Sequence, residues 1–209
     1  MTQRIDTTSG NVEPEALRAM FAARKDVFVD LLHWKLEVRE GCLEIDQFDD
    51  QHARYLILLD GDGRHLASAR LLPTTRPHIL DTMFPDLAGH DCPRSPHILE
   101  ITRFCLDRRL RANERRQARD QLITMIVEHG LEHGVTSMTG VAELPWYQQI
   151  MAFGWRCAAL GQPQTHDGQR LAALEIAIDR DTPARLARTG VWSPAHVAAF
   201  AGLAAGAAR

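Results

Sequence analysis

Residues 98–107, read as ILEITRFCLD, place a carboxylate and a guanidinium inside an otherwise apolar run. Aliphatic and aromatic residues in such a run are typical of a buried β-strand. Glu100 and Arg103 therefore need partners, because an unpaired charge in an apolar interior costs several kcal/mol. Two interpretations are open from this stretch alone: a structural ion pair, or two polar groups that face a reaction cleft.

The composition limits the classes of protein to which the chain can belong. Its 209 residues predict a single domain over 1–209, and 45% hydrophobic residues suffice for a sizeable core. The net charge of −3 argues against a nucleic-acid-binding protein. We expect no secretory leader, because the N-terminus is polar and lacks a continuous apolar core, and no membrane span, because no run of about 18 apolar residues occurs. Four cysteines without metal-ligand spacing favour a cytoplasmic protein with reduced thiols.

Hydrophobic periodicity predicts the order of helices and strands. Apolar residues at helical spacing predict an amphipathic helix over 13–32, and the Asp-Gly-Asp-Gly turn at 60–63 predicts a hairpin of strands 53–59 and 65–72. The further predicted elements are a short helix near 79–84, strand 98–107, helix 113–133, strand 135–141, helix 144–152 and strands 155–160 and 171–178. Strands alternate with helices only in the second half, which predicts an α+β fold, an α/β sandwich. The ends have no firm element: 1–12 is a polar lead, and an Ala-rich helix is expected in the tail after about 181.

Charged residues stand out in three further places. Arg24 lies one helical turn before Phe28, on the apolar face of the first helix. Residues 34–50 combine carboxylates with Trp34 and Phe48, a composition that suits either a solvated loop or a loop over a cationic ligand. Six arginines form a basic block that is either a solvated helix face or a dock for an acidic partner or a phosphate: Arg108, Arg109, Arg111, Arg115, Arg116 and Arg119.

Several familiar motifs are absent or misleading. His129, Glu132 and His133 fit the pattern HxxEH of some zinc peptidases, but no third ligand follows at helical spacing, so we predict exposed histidines and no metal site. The sequence contains no GxGxxG, no P-loop and no GxSxG. None of the cysteines has an evident histidine partner in the sequence, and a thiol nucleophile is not indicated.

Five pieces in a fixed order resemble the acyl-homoserine-lactone synthase (autoinducer synthase) family. They are RKDVFVDLLHW from Arg24, EIDQFD from Glu44, ASARLLPT around Arg70, MFP around Phe84 and EITRFCLD from Glu100. Each piece alone is weak, but together they span about half the chain. The second half matches more loosely, through GVTSMTGV and AFGW.

The resemblance implies a fold similar to the GCN5-related N-acetyltransferases, with a central mixed sheet flanked by helices. It implies an acyltransferase that moves an acyl group from a thioester to the amine of S-adenosylmethionine. The homoserine part then closes to a lactone, methylthioadenosine leaves, and no metal or cofactor takes part. Ordinary acetyltransferases carry a glycine-rich pyrophosphate loop where this chain has RRLRANE. The arginine block therefore favours an acyl carrier protein as donor, and acyl-coenzyme A stays open.

The resemblance also suggests roles for individual residues. Glu100 is the expected base that removes a proton from the substrate amine. The carboxylates Asp46 and Asp49 are expected to hold the ammonium and offset the sulfonium charge. Arg24, Arg70 and Arg103 would pair with these carboxylates and with the substrate carboxylate.

The remaining expected contacts surround the S-adenosylmethionine, the thioester and the acyl chain. Phe28, Trp34 and Phe84 would wall the S-adenosylmethionine site. Backbone N–H groups near Phe104 would donate to the thioester oxyanion, and the Thr139 hydroxyl would bind a 3-oxo group. The acyl chain would be lined by Met125, Met138, Trp146 and Ile150.

Two alternative functions stay open: an ordinary acetyl-coenzyme A dependent N-acetyltransferase, and a non-catalytic binder of S-adenosylmethionine or acyl chains.

Overall fold

The computed structural model describes residues 2–9, 13–89 and 91–194. The helices are α1 (Pro14–Arg24), α2 (Ile79–Thr82), α3 (Ala112–Glu132), α4 (Leu144–Met151) and α5 (Thr182–Arg188). The strands are β1 (Gln3–Asp6), β2 (Val38–Arg39), β3 (Leu43–Glu44), β4 (Arg54–Leu59), β5 (His65–Pro73), β6 (Ile98–Leu106), β7 (Ser137–Glu143), β8 (Arg156–Ala159), β9 (Gln164–His166) and β10 (Gln169–Ala177).

Eight of these strands form one mixed sheet. The strand order is β1-β4-β5-β6-β7-β10-β8, with β9 paired to β10, while β2 and β3 form a separate small hairpin. The β6–β7 pair is parallel, and the other pairs between described strands are antiparallel. The predicted α+β fold, a central mixed sheet flanked by helices, is confirmed.

The alternation of side chains along β5 explains why the sheet carries a helix on each face. Ala67, Ala69 and Leu71 pack into one core together with residues of α3 such as Leu122. Leu72 points to the other face, where it packs in a second core with Met20 of α1. Successive side chains of a strand point to opposite faces, so Arg70 lies on the α1 side with Leu72.

Strands β6 and β7 separate halfway along their length. They are paired only from Ile98 with Ser137 to Ile101 with Gly140, although both strands continue further. A Cβ atom at Gly140 would lie 3.3 Å from the carbonyl oxygen of Ile101, so a small residue suits the last point of close approach. The sheet therefore has an opening between the diverging ends of β6 and β7.

A bulge in β6 faces the same opening. Ser68 pairs with Cys105 and Arg70 with Thr102, so Arg103 and Phe104 together oppose a single residue of β5. Arg103 has a φ of 49°, in the left-handed region that non-glycine residues rarely adopt. The surrounding contacts must hold this conformation, which is often found at functional sites.

Most predicted elements are confirmed within a few residues, but four parts of the chain differ. The helix predicted over 13–32 is α-helical only to Arg24 and continues as a π-helix over Lys25–Val29. Leu31 and Leu32 lie in the turn after the π-helix and are 48% and 41% exposed. Strand β1 lies in the stretch predicted as a polar lead, and the β2–β3 hairpin lies in the stretch 34–50 predicted as a loop. Strand β9 was not predicted either.

The predicted Ala-rich helix of the tail falls mainly on residues 195–209, which lie outside the described residues. The described part of the tail contains α5 instead. Among the described helices, none combines the length and the apolar character that crossing a membrane requires.

Candidate active site

Six charged side chains from five parts of the chain meet on the α1 face of the sheet. We call them the arginine–carboxylate network, and its members are Arg24 at the end of α1, Glu44 in β3, Asp46 and Asp49 in the turn after β3, Arg70 in β5 and Arg103 at the β6 bulge. Three positive and three negative charges make the network neutral overall.

Arg24 is one of two fully enclosed arginines of the network. Its Nε lies 2.5 Å from Glu44 Oε2, and its two terminal nitrogens donate to the two oxygens of Asp49, each at 2.8 Å. The Arg24 side chain is 1% exposed and that of Glu44 is fully buried. Such bidentate contacts use the planar guanidinium fork in the geometry that suits a carboxylate.

Arg70 joins the two aspartates and the sheet. Its terminal nitrogens donate to Asp46 at 2.6 and 3.0 Å, and Nη1 also lies 2.8 Å from Asp49 Oδ1. Its Nε donates to Thr102 Oγ1 at 2.9 Å across the β5–β6 pair. The Tyr55 hydroxyl adds a hydrogen bond to Asp49 Oδ1 at 2.9 Å.

Arg103 closes the network on the solvent side. Its Nη2 donates to Glu44 Oε1 at 3.0 Å and to Asp46 Oδ2 at 2.7 Å. The side chains of Arg103 and Asp46 are 9% and 11% exposed, whereas the other four members are at most 1% exposed. One cation and one anion of the network are therefore the groups that solvent, or a ligand, can reach.

Aromatic rings surround the three guanidinium groups. The ring centroids lie 5.1 Å from Arg24 for Phe21, 5.8 Å from Arg70 for Phe48 and 5.7 Å from Arg103 for Phe28. These distances suit cation–π contacts.

Burial alone raises the pKa of Asp49, but hydrogen bonds from Arg24 and the charges of Arg24 and Arg70 outweigh it and hold that pKa well below its usual range.

Glu100 lies outside the network, and its partners differ from the expected one. The carboxylate is fully buried and accepts hydrogen bonds from the backbone N–H groups of Ile79, at 2.8 Å, and Leu80, at 2.7 Å. Of the two interpretations of this stretch, a structural ion pair between Glu100 and Arg103 is not supported, because Arg103 pairs with Glu44 and Asp46. Burial raises the pKa of Glu100 to about 7, although the two N–H groups and the charge of Arg70 act in the opposite direction.

The structure brings together two of the three aromatic residues expected at the S-adenosylmethionine site. Phe28 and Trp34 stack with centroids 4.9 Å apart and planes 13° apart. Phe84 instead contacts His166 edge-on at 5.2 Å and packs against the α2 side of the core. Phe84 therefore belongs to a different cluster from the Phe28–Trp34 stack.

The residues expected around the acyl chain and the thioester divide between the two faces of the sheet. Thr139 pairs with Glu100 across the β6–β7 boundary, and its buried hydroxyl has no hydrogen-bond partner among the described residues. The others share the α3-side core: Met125, Met138, Phe104, Trp146 and Ile150. The Phe104 and Trp146 rings lie 5.2 Å apart in that core.

Several arginines of the basic block already contact other groups of the protein. Arg109 pairs with Asp107, and Arg119 pairs with Asp120 and lies over the Phe153 ring at 5.0 Å. Arg115 donates to the backbone oxygen of Asp107 at 3.2 Å. The exposed members are Arg108, Arg109, Arg111 and Arg116. The block therefore offers fewer unpaired cations than the sequence indicates.

Sequence reasoning overlooked one member of the network and misplaced two other groups. Glu44 stands in the quoted piece EIDQFD, but no role was assigned to it. His129, expected to be exposed, is 4% exposed, contacts Asp6 at 2.7 Å and stacks on His133 at 4.3 Å. The Cys92 Sγ lies 3.4 Å from His78 Nε2, a partner that the sequence did not indicate. Within residues 2–9, 13–89 and 91–194, no group of three or more His, Cys, Asp or Glu residues could hold a metal ion.

Comparison with known proteins gives consistent results. The family model described as autoinducer synthase matches residues 10–186. An acyl-homoserine-lactone synthase of Ralstonia nicotianae is 32% identical over 185 residues, which covers 85% of this chain and 90% of that protein.

Solved structures agree with the sequence matches. A coenzyme A-dependent acyl-homoserine lactone synthase, solved with S-adenosylmethionine and isopentyl-CoA, superposes with a TM-score of 0.81 at 29% identity, covering 90% of this chain and 88% of that one. A chain from Lactobacillus plantarum, described as an N-acetyltransferase, superposes with a TM-score of 0.59 at 18% identity, over 85% of this chain and 99% of that one. The second likeness shows the fold alone.

Proposed function

The chain belongs to the autoinducer synthase family and is an acyl-homoserine-lactone synthase, and we propose how its residues divide the reaction. The enzyme transfers an acyl group from a thioester to the amine of S-adenosylmethionine. Lactone closure releases methylthioadenosine, and the product is an N-acyl-homoserine lactone used as a quorum-sensing signal. The two alternatives, an ordinary acetyltransferase and a non-catalytic binder, are set aside by the family.

The observation that carries the proposal is the exposed edge of the arginine–carboxylate network. The amino acid part of S-adenosylmethionine has one ammonium and one carboxylate group. Asp46 and Arg103 present one anion and one cation on the side that reaches solvent. We assign the substrate ammonium to Asp46 and the substrate carboxylate to Arg103, whose guanidinium binds carboxylates in bidentate fashion.

The four enclosed members of the network act indirectly in this proposal. Glu44, Asp49, Arg24 and Arg70 hold Asp46 and Arg103 in place through ion pairs at 2.5 to 3.0 Å. Positioning of this kind lowers the barrier because the reacting groups lose little freedom in the transition state. Lactone closure needs the same positioning, since the substrate carboxylate must stay near the carbon that bears sulfur.

Glu100 is proposed as the base that takes the proton of the substrate amine, directly or through one water. A pKa of about 7 places its proton exchange near neutral pH, where general bases are most effective. Aminolysis and lactone closure then need only positioning and proton transfer. We therefore propose that the reaction uses no metal and no cofactor, and we predict a cytoplasmic location, where acyl thioesters are made.

The acyl group is proposed to enter the opening between β6 and β7. Thr139 supports this assignment, because a buried hydroxyl without a partner is costly unless a ligand supplies one. A 3-oxo group of the acyl chain is a suitable acceptor. The side chains Phe104, Met125, Met138, Trp146 and Ile150 are proposed as the walls of the channel, and backbone N–H groups near Phe104 as donors to the thioester oxyanion.

For the donor we propose an acyl-coenzyme A thioester. The superposed synthase named as coenzyme A-dependent supports this choice. An acyl carrier protein is the second candidate, favoured by the exposed arginines at the start of α3.

The test compares one acyl chain on the two carriers. Purified enzyme with S-adenosylmethionine is given the acyl group on coenzyme A or on an acyl carrier protein, and methylthioadenosine and lactone are measured by mass spectrometry. We expect kcat/KM to be higher with the coenzyme A thioester. A higher kcat/KM with the carrier protein, lowered by the paired change of Arg111 and Arg116 to Ala, would reverse the choice of donor. Failure of every acyl thioester to release methylthioadenosine would reject the function itself.

A further inference from the structure

Trp34 bridges the opening between β6 and β7. On the β6 side, its ring belongs to a cluster that contains Phe28 and Cys105. On the β7 side, its indole N–H donates to Oε1 of Glu143 at 3.3 Å. Glu143 is the last residue of β7, three positions beyond the final β6–β7 pair at Gly140. The side chain thus connects the two strands where their backbones have separated.

Glu143 lies on the face of the sheet that carries the site. Side chains alternate along a strand, so Glu143 shares a face with Thr139, which pairs with Glu100. Glu143 also precedes the first residue of α4 but makes no side-chain capping hydrogen bond there. Its position therefore stabilises neither the helix end nor the α3-side core.

The carboxylate of Glu143 has an unusual partner. It is half-buried and takes part in none of the ion pairs formed by the described residues. Its contact is the indole N–H of Trp34. Removing a carboxylate from water without a cation is unfavourable, so this arrangement adds little to folding stability. What it does provide is a fixed orientation for the Trp34 ring.

We propose that Glu143 is a positioning residue that holds the Trp34 indole across the opening and so controls access to the acyl thioester. This inference rests on the proposed function. With the indole held, the opening is covered on the side of the Phe28–Trp34 stack, and water is kept from the bound thioester.

Loss of the hydrogen bond has a chemical consequence that can be measured. Water that reaches the thioester adds to its carbonyl carbon, the bond from carbon to sulfur breaks, and a carboxylic acid and a free thiol result. This hydrolysis releases thiol without releasing methylthioadenosine. The ratio of thiol to methylthioadenosine therefore reports whether the opening is covered.

The test uses Glu143→Ala, Glu143→Gln, Trp34→Phe and the double variant Trp34→Phe with Glu143→Ala. Phenylalanine keeps the stacking on Phe28 but has no N–H, and glutamine keeps an acceptor oxygen. We expect Glu143→Ala and Trp34→Phe each to raise the thiol ratio and the donor KM about 5-fold, a moderate effect for one partly exposed hydrogen bond to a charged group. The double variant should be no worse than either single variant, because both remove the same contact.

Glu143→Gln should stay within about twofold of the unchanged enzyme, since its amide oxygen accepts the same hydrogen bond. The KM for S-adenosylmethionine should change less than the donor KM in Glu143→Ala. An unchanged thiol ratio in Glu143→Ala, additive effects in the double variant, or equal damage from Gln and Ala would each overturn the inference. If the unchanged enzyme makes no lactone, the proposed function fails instead.

Discussion

The arginine–carboxylate network and Glu100 lie on the same face of the sheet, but different groups neutralise their charge. Each carboxylate of the network contacts at least two guanidinium groups, as Glu44 contacts Arg24 and Arg103. Glu100 is equally buried but accepts only two backbone N–H groups, from Ile79 and Leu80. The comparison separates the effect of a full positive charge from that of peptide dipoles.

The two environments shift acidity in opposite directions. Around Asp49, hydrogen bonds and charges of arginines outweigh burial, and the pKa stays well below its usual range. Around Glu100, burial outweighs the N–H groups, and the pKa rises to about 7. Asp49 therefore stays ionised near neutral pH, which keeps its ion pairs with Arg24 and Arg70 intact. Glu100 exchanges a proton near neutral pH, which suits a base.

The largest effect is expected from breaking the network at Arg70. Replacing Arg70 by Ala leaves Asp46 and Asp49 with one guanidinium fewer in a buried site. We expect a loss of about 3–5 kcal/mol in the free energy of unfolding, since removing one partner leaves a buried charge uncompensated. Urea unfolding at pH 7 measures this loss.

Arg18→Ala is the matched control for that experiment. Arg18 pairs with Glu40, and both side chains are about 60% exposed (59% and 63%). Exposed pairs of this kind contribute about 0–1 kcal/mol. Equal unfolding midpoints for the Arg70 and Arg18 variants would show that burial does not distinguish the two pairs.

A second prediction concerns the catalytic role of Glu100. A base must be ionised to accept a proton, so kcat should rise as the pH increases through about 7, the pKa that burial gives this carboxyl. Glu100→Gln should lower kcat by roughly 100- to 10,000-fold, the usual contribution of a general base, and leave S-adenosylmethionine affinity within a few-fold. Methylthioadenosine release measured from pH 5.5 to 8.5 tests both points. A pH profile that is unchanged in the Gln variant would remove Glu100 from the mechanism.

The same pKa predicts how stability depends on pH. Folding raises the pKa of Glu100 from 4.5 to about 7, so the folded state favours the protonated form. The stabilisation is complete below pH 4.5 and is lost as the pH rises through 7, by about 3 kcal/mol at 1.36 kcal/mol for each pH unit. Glu100→Gln should make the unfolding free energy nearly independent of pH between pH 4.5 and 7.

The lowered pKa of Asp49 has the opposite effect on stability. Its stabilising contribution is present above pH 3.8 and is lost on further acidification.

Much of the fold could be predicted because its signals are local. The turn at 60–63 specifies the β4–β5 hairpin, and helical periodicity specifies α3 to within about a residue at each end. Strand β1 could not be predicted in this way, since its four residues are fixed by distant pairing with β4. The π turn after Arg24 likewise has no signal in the spacing of apolar residues.

The site shows the same division between local and distant information. Arg24, Arg70 and Arg103 stand out in the sequence because each interrupts an apolar stretch. The partners of Glu100 do not stand out, because they are backbone N–H groups of α2 that only the packing of α2 on β6 brings to the carboxylate. In a regular strand, residues three positions apart lie on opposite faces, so Arg103 would point away from the face of Glu100. The bulge turns Arg103 to the same face, where it contacts Glu44.

The smallest expected effect concerns a buried hydroxyl that has no hydrogen-bond partner among the residues that the structure describes. The Thr139 hydroxyl is unpaired, whereas the equally buried Thr124 hydroxyl donates to Asp120 O at 2.9 Å and accepts from Ser193 N at 2.8 Å. Valine has nearly the same shape as threonine but lacks the hydroxyl. We expect Thr124→Val to lower the free energy of unfolding by about 1 kcal/mol and Thr139→Val to leave it unchanged or raise it by about 1 kcal/mol.

Activity then tells whether the unpaired hydroxyl of Thr139 serves a ligand. If it binds a 3-oxo group, Thr139→Val should lower kcat/KM several-fold for a 3-oxo acyl thioester and leave the unsubstituted chain of equal length nearly unaffected, because the substituted chain alone loses a hydrogen bond. Unfolding in urea and the two kcat/KM values check the prediction together. Equal losses for both thioesters would mean that the hydroxyl does not read the acyl chain, and equal losses of stability in the two valine variants would mean that Thr139 has a partner within the protein.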